Sequence, residues 1–240
     1  DSHNLVRPVT SMVNRVTEQV DLAEMLRPGR VVTLLGPGGA GKTRLSIEVG
    51  LKVVEQWPDG VWFVDLAPLS DGDVVPMAIA KAVNAPSVRG NDAQSDIVAH
   101  LAERSMLLVL DNCEHLIGPV SRLVAVLREQ CPRLGVVATS RVPLGLIGES
   151  LYRLEPLGVA DVESDAVRLF VERSGLGADV DLSDVVGLCR AIDGLPLAIE
   201  LAATRAHLLS PAEMTERMRT GVAVVSTRDP TVPDRQRSLD

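Results

Sequence analysis

The sequence predicts an α/β fold, a doubly wound parallel sheet followed by a small helical subdomain, and three observations carry that prediction. First, apolar runs of strand length recur at Val31–Leu35, Val61–Val64, Met106–Leu110 and Gly135–Ala138, with a weaker one at Leu151–Leu154. Such continuous apolar runs suit strands buried on both faces of a parallel sheet. Second, helical spacing lies between them, as in Ile97, Val98 and Leu101 and then Val120, Leu123, Val124 and Leu127, with breaks at Pro58-Asp59-Gly60 and Arg89-Gly90-Asn91-Asp92. Strands alternating with helices make a sheet covered on both faces. Third, strand-like runs vanish after about Pro156, where Val167–Val171, Val185–Ile192 and Leu197–Leu208 all have helical spacing.

The first strand, Val31–Leu35, leads into Gly36-Pro37-Gly38-Gly39-Ala40-Gly41-Lys42-Thr43, and the stretch from Lys42 to Val54 carries no helix breaker except Gly50. This strand, loop and helix fit G-x-x-x-x-G-K-[ST], a loop that cradles phosphates. Its glycines let successive N–H groups point at the phosphates, and the following helix adds the positive end of its dipole. Lys42 supplies a point charge for the β- and γ-phosphates and Thr43 a hydroxyl for Mg²⁺. Arg44, the next residue, is counted with the loop. The plain alternative is a Gly-rich turn that merely contains Gly-Lys-Thr. Lysine is scarce, at Lys42, Lys52 and Lys81 only, and one of the three sits where a flexible ammonium is required and an arginine is no simple substitute.

The third strand ends in a carboxylate, Asp111, the pattern of a segment that holds Mg²⁺ or its water opposite the loop hydroxyl. Many buried strands end in an Asp that only caps a turn, so the loop upstream is what singles Asp111 out. Hydrolysis needs a further group to orient or deprotonate water. The neighbour of Asp111 is Asn112 and not an acid; Glu114 follows and is either that base or a solvated turn carboxylate, while His115 is expected to bond locally. The fourth strand runs into Thr139-Ser140-Arg141. Ligands sit at the carboxyl ends of strands in open α/β sheets, so Arg141 either touches a γ-phosphate through a charge-assisted bond or is a surface arginine. No Asn-Lys-x-Asp tetrad is present to read guanine, which favours adenine.

Composition excludes several other functions. The 240 residues are 46% hydrophobic with a formal net charge of −8, so the chain can bury a full core and lacks the basic surface that dominates nucleic-acid binding. Two Phe, one Tyr and two Trp leave little for base stacking. Cys113, Cys131 and Cys189 are widely spaced without C-x-x-C or His partners, which fits a reducing cytoplasm and suggests neither disulfide framework nor zinc site. No signal pattern opens the sequence, and no apolar run approaches the roughly 20 residues of a membrane helix.

In the helical part, Asp193-Gly194 separates two helices and Ser210-Pro211-Ala212-Glu213 reads as a capping box with Pro at the first helical position. The tail from Thr227 to Asp240 is rich in Pro, Asp and Arg and reads as a linker to another module. The expected organisation is residues 1–155 for a nucleotide-binding α/β domain, 156–226 for a helical subdomain and 227–240 for the linker.

Four separated segments together resemble the STAND class of signal-transduction P-loop ATPases, specifically the NB-ARC-like modules of large bacterial transcription regulators. They are His3-Asn4-Leu5 with Met12-Val13-Asn14-Arg15, the GPGGAGKT loop, LLVLDNCEHL with Ala138-Thr139-Ser140-Arg141, and Gly194-Leu195-Pro196-Leu197-Ala198. The resemblance implies that Val13 and Arg15 lie in the segment walling the adenine, that Arg141 is the γ-phosphate sensor and that Pro196 packs on the nucleotide. Asn14 departs from the usual glycine, which puts the local backbone in question, and Asn112 replaces the second acid of many relatives, which implies slow or conditional hydrolysis. The resemblance also implies DNA contact through domains outside this chain, a closing winged-helix subdomain beyond it, and nucleotide-dependent self-association. The function expected is thus an ATP/ADP-binding, Mg²⁺-dependent switch in a cytoplasmic regulator, with no membrane partner. Its rivals are a kinase-like phosphoryl-transfer enzyme, with Pro68–Asp96 as the place for a lid, and a binding-only scaffold with a structural nucleotide.

Overall fold

The computed structural model describes residues 2–85, 93–176 and 180–220. The expected break at 89–92, part of the suggested lid segment and the tail from 227 lie outside these residues. The chain forms two compact units: Asp1–Ser11, Arg15–Gly36 and Lys42–Leu154 make the first, and Met12–Asn14, Pro37–Gly41 and Glu155–Asp240 the second.

The first unit is built on five parallel strands in the order β2-β3-β4-β1-β5, with β1 Val31–Leu35, β2 Val61–Asp65, β3 Leu107–Asp111, β4 Gly135–Ser140 and β5 Ser150–Arg153. Its helices are α1 (Val16–Met25), α2 (Lys42–Val53), α3 (Val75–Ala82), α4 (Ala93–Leu101) and α5 (Ile117–Gln130). Strand alternation sends Trp62, Val64, Leu108, Leu110, Val136 and Ala138 into one core with Ile79, Ile97, Leu101, Val120, Leu123 and Leu127 of α3 to α5. α2 packs on β2, β3 and β4 through the opposite set of side chains, including buried Leu45, Val49 and Val53. The sheet is therefore covered on both faces, as the continuous apolar runs required.

β3 begins one residue later than its apolar run and β4 runs two residues further, so Asp111 and Thr139 are themselves paired strand residues or their direct neighbours. Parallel pairing supplies backbone partners at those polar positions, which hydrophobicity alone does not register.

The opening segment covers the exposed side of β2. His3 bridges Val61, and the Asn4 carboxamide donates to Phe63 O at 2.8 Å and accepts from Phe63 N at 2.6 Å, as a neighbouring strand would. Leu5 is buried, and a Cβ on Gly50 of α2 would come within 2.9 Å of Leu5 Cδ1. Gly50 is thus a packing residue that admits the segment.

The second unit holds α6 (Asp165–Ser174), α7 (Leu182–Ala191), α8 (Pro196–Ala203) and α9 (Pro211–Arg219) around Phe170, Val185, Leu188, Ile199, Ala202 and Met214. Asp181 caps α7 by accepting from Ser183 N at 2.8 Å, and Ser210 with Glu213 forms the expected capping box on α9. α8 stops at Ala203, short of Leu208: Arg205 N and Ala206 N bond back three residues to Ala202 O and Ala203 O, tightening the chain into turns before the α9 cap.

Candidate functional site

α2 starts at Lys42, directly after the loop, so the positive end of its dipole lies at the loop. The Lys42 side chain is buried at 9% exposure, and its ammonium donates to Gly36 O at 2.9 Å. Burial pulls its pKa down; the charge of Glu114 works against that, Arg141 reinforces it and Asp111 opposes it.

Asp111, 2% exposed, lies at the centre of a polar cluster. Its Oδ1 accepts from Thr43 Oγ1 at 2.7 Å and from Thr139 Oγ1 at 2.6 Å, while Oδ2 accepts from Asn112 Nδ2 at 2.7 Å. Thr139 Oγ1 accepts in turn from Asn112 N at 3.0 Å. Burial raises the Asp111 pKa; the Thr139 and Thr43 bonds hold it down, the Asp65 carboxylate pushes it up, and Lys42 lowers it. Asn112 stands in the left-handed region at φ 61° and ψ 51°, a conformation asparagine accepts more readily than most residues. In place of a second acid it therefore presents a donor to Asp111.

Glu114 and Arg141 meet at the same end of the sheet, with Arg141 Nε 3.4 Å from Glu114 Oε1. Glu114 Oε2 is buried without a hydrogen bond. His115 is turned away, its Nε2 shared between Leu66 O at 3.1 Å and Leu69 O at 2.9 Å, the local bonding expected for it. Asp65, which the strand reading stopped short of, closes β2 in register with Asp111. The signal was present, because Val61–Val64 followed by Asp65 is the same apolar-strand-then-carboxylate pattern as β3.

The remaining predicted residues fall into separate groups. Arg15 is 7% exposed and pairs with Glu18 at 2.5 Å. Arg44 binds Glu48 at 3.2 Å and the Thr10 hydroxyl and carbonyl, so it anchors the opening segment. In the second unit, Val13 packs against the helical core and the Asn14 carboxamide donates to Asp165 Oδ2 at 2.6 Å. Asn14 and Arg15 are both left-handed, at φ 54° and 69°, so the backbone expected of a glycine is kept without one. Ala40 is buried and its N–H closes the loop on Pro37 O at 3.3 Å. Gly39, at φ 78°, accepts from Leu197 N at 3.2 Å. Pro196 occupies the first position of α8, one residue before that contact. Gly36, Gly38 and Gly41 complete the loop. A surface cavity of about 370 Å³ lies elsewhere in the first unit, against α1, with Val20, Arg27, Lys52 and Trp57 in its walls.

A buried carboxylate beside a hydroxyl is a hard-oxygen donor pair suited to Mg²⁺, which takes one or two carboxylates and completes its shell with phosphate oxygens and water. Among the described residues no cluster of three or more His, Cys, Asp or Glu forms an all-protein metal cage. The donor set at Thr43 and Asp111 therefore fits a nucleotide-borne Mg²⁺ better than a resident structural metal. The three cysteines are free and buried, and no described helix is long and apolar enough to cross a membrane.

No family model matches the chain. An uncharacterized protein of Mycobacterium tuberculosis is 38% identical over 218 residues, which are 88% of this chain and 55% of that protein. A second protein of that organism, designated an HTH-type transcriptional regulator, is 39% identical over 198 residues, 80% of this chain and 22% of the regulator. The regulatory protein AfsR of Streptomyces griseus is 29% identical over 188 residues, 73% of this chain and 18% of AfsR. Among solved structures, Cdc6p of Pyrobaculum aerophilum superposes with a TM-score of 0.62 at 19% identity, over 85% of this chain and 64% of that one. The Aeropyrum pernix ORC2 protein, solved as ADPNP–ADP complexes, gives 0.60 at 17%, over 94% and 71%. A Signal Transduction ATPase with Numerous Domains from Pyrococcus horikoshii, carrying a tetratricopeptide repeat sensor, gives 0.58 at 18%, over 80% and 30%. What the structural likenesses share with this chain is the α/β fold of P-loop ATPases.

Proposed function

We propose that this chain, which has the P-loop ATPase fold, matches the STAND class and is related by sequence to bacterial transcription regulators, is an adenine-nucleotide switch module of such a regulator. The observation that carries the reading is the Asp111 cluster: one buried carboxylate receives the hydroxyl of Thr43, from the loop helix, and that of Thr139, from the neighbouring strand. Thr43 and Asp111 would hold Mg²⁺, which when bound neutralises charge on the β- and γ-phosphates. Lys42, with its depressed pKa still fed by nearby carboxylates, adds a point charge to the same phosphates. Arg141 is free enough, at 61% side-chain exposure, to reach a terminal phosphate. Glu114 would take a proton from water, since Asn112 is committed to Asp111 as a donor.

In this reading residues 1–155 bind ATP or ADP, with the NB-ARC-like residues Val13 and Arg15 on the adenine side and Pro196 on the helical side. Residues 156–226 answer to the bound state, hydrolysis is slow, and the regulator works in the cytoplasm, contacting DNA through parts of the polypeptide other than this chain. Self-association would follow the nucleotide state.

The test is calorimetric titration of the 240-residue chain with Mg·AMP-PNP and Mg·ADP, beside chromatography of any nucleotide released on denaturation. Lys42→Ala should abolish both titrations while the circular dichroism spectrum stays unchanged. Unaltered affinity in that variant would sink the reading.

A further inference from the structure

We infer that Glu114 is the resident counter-ion of Arg141, a carboxylate that a terminal phosphate has to displace, and that it thereby sets how well the site tells triphosphate from diphosphate. The inference rests on Arg141 being the residue that meets the γ-phosphate.

Three features place Glu114 in this role. Its Oε1 is 3.4 Å from Arg141 Nε, so the guanidinium already lies beside an anion. Its Oε2 is buried with no hydrogen bond, which is costly for a carboxylate oxygen and leaves Arg141 as the contact that holds the group in place. The two side chains differ in freedom, Glu114 being 25% exposed and Arg141 61%, so Arg141 is the partner able to move. The Glu114 carboxylate thus occupies, beside Arg141, the electrostatic place of a phosphate.

Chain geometry explains why position 114 can do this. Asn112 takes the left-handed conformation directly after β3, and Cys113–His115 then form a single tight turn. That turn is pinned on its far side by His115, which holds two carbonyls, and at its core by buried Cys113, whose thiol donates to Leu110 O at 3.4 Å. Glu114, between them, is left facing β4 and Arg141. A diphosphate does not reach Arg141 and leaves the pair intact. A triphosphate gains the guanidinium only by breaking it.

The consequence is a coupled pair of affinities. Removing the Glu114 charge should tighten Mg·AMP-PNP about three- to fivefold, the size expected for freeing one exposed ion-pair partner, and leave Mg·ADP within error. In an Arg141→Ala background the same change should have no effect on either nucleotide.

The experiment is a double-mutant cycle by calorimetry on the full chain: wild type, Glu114→Gln, Arg141→Ala and both together, each with Mg·AMP-PNP and Mg·ADP. Glu114→Asp, which draws the carboxylate back by one methylene, serves as a second variant if the Gln form folds poorly and should tighten the triphosphate in the same direction. Selective tightening that vanishes without Arg141 supports the inference. If Arg141→Ala weakens only the triphosphate but neither Glu114 variant tightens it, the counter-ion role is wrong and the sensor reading stands. If Arg141→Ala weakens both nucleotides equally, the sensor reading fails and takes this inference with it.

Discussion

Thr43 and Asp111, 68 positions apart in the chain, share a 2.7 Å hydrogen bond that ties the first turn of α2 to the end of β3. The bond joins the phosphate loop's own hydroxyl to the carboxylate proposed for Mg²⁺, and it forms on a side chain whose ionisation burial opposes. Function and stability therefore pull in opposite directions at this residue.

Asp111→Asn separates the two. Asparagine keeps the shape, accepts both hydroxyls through Oδ1 and lets Asn112 turn its carboxamide to present oxygen. The Mg²⁺-dependent part of nucleotide affinity should fall at least about tenfold, or 1.4 kcal/mol. The nucleotide-free protein should melt higher than wild type. The pH dependence has a definite sign: a carboxyl with its folded pKa raised costs stability once ionised, so the cost is absent below about pH 4 and fully present above the folded pKa. The melting advantage of the variant should vanish near pH 4 and be widest at pH 7 to 8. Scanning calorimetry across that range checks it, and an advantage that grows toward acid would refute the burial argument.

Gly39→Ala tests the loop. Its φ of 78° is a left-handed conformation, and an added Cβ would stand 3.1 Å from Leu197 Cβ. Alanine pays about 1–2 kcal/mol for the backbone alone, and relief by opening the loop would cost the Leu197 N to Gly39 O bond. We expect weaker binding of both AMP-PNP and ADP, by about tenfold each, because the loop serves the phosphates that the two share. A loss confined to one nucleotide would contradict this.

Much of this was legible beforehand for a physical reason. Hydrophobic runs report burial on both sheet faces, so β1 was read to the residue, and the loop motif is a local backbone requirement that sequence spells directly. The polar ends of strands were not. Asp65 is placed by the pairing of β2 with β3, and Thr139 by the pairing of β4 with β1 and by its hydroxyl's bond to Asp111; periodicity cannot see hydrogen bonds between residues distant in the chain. The same holds for Arg44, which reads as part of the phosphate loop but whose guanidinium is engaged by Thr10 and Glu48. His3-Asn4-Leu5 was visible only as a resemblance; its physical content, a side chain imitating a strand beside Phe63, needed the fold.

That imitation gives a stability prediction. Asn4→Ala removes both hydrogen bonds to Phe63 and bares the outer edge of β2. The bonds are solvent-accessible, so we expect a loss of about 1–2 kcal/mol. Asn4→Asp keeps the acceptor for Phe63 N but sets a carboxylate against Phe63 O, and should cost at least as much. Urea denaturation measures both, and a neutral Asn4→Ala would mean that Leu5 and Gly50 alone seat the segment.

The last prediction concerns Asn14, which stands where the resembled modules carry glycine. At φ 54° it uses asparagine's tolerance of the left-handed region, and its carboxamide donates to Asp165 Oδ2 at 2.6 Å. Three substitutions separate backbone from side chain. Asn14→Gly frees the backbone but loses the bond and adds unfolded-state entropy, for a net cost under about 1 kcal/mol. Asn14→Ala loses the bond and strains the backbone, about 1–2 kcal/mol. Asn14→Asp keeps the backbone tolerance but faces the Asp165 carboxylate with a second one. That repulsion is partly screened at this exposed site and worth about 0.5–1 kcal/mol at pH 7. It should fade as salt screens the two charges. Denaturant midpoints at low and high salt at pH 7 therefore decide the matter: the Asp variant should close part of its gap to wild type at high salt while the Ala variant does not. A gap that stays constant with salt would show that Asn14 is held by its backbone conformation and that the bond to Asp165 contributes nothing.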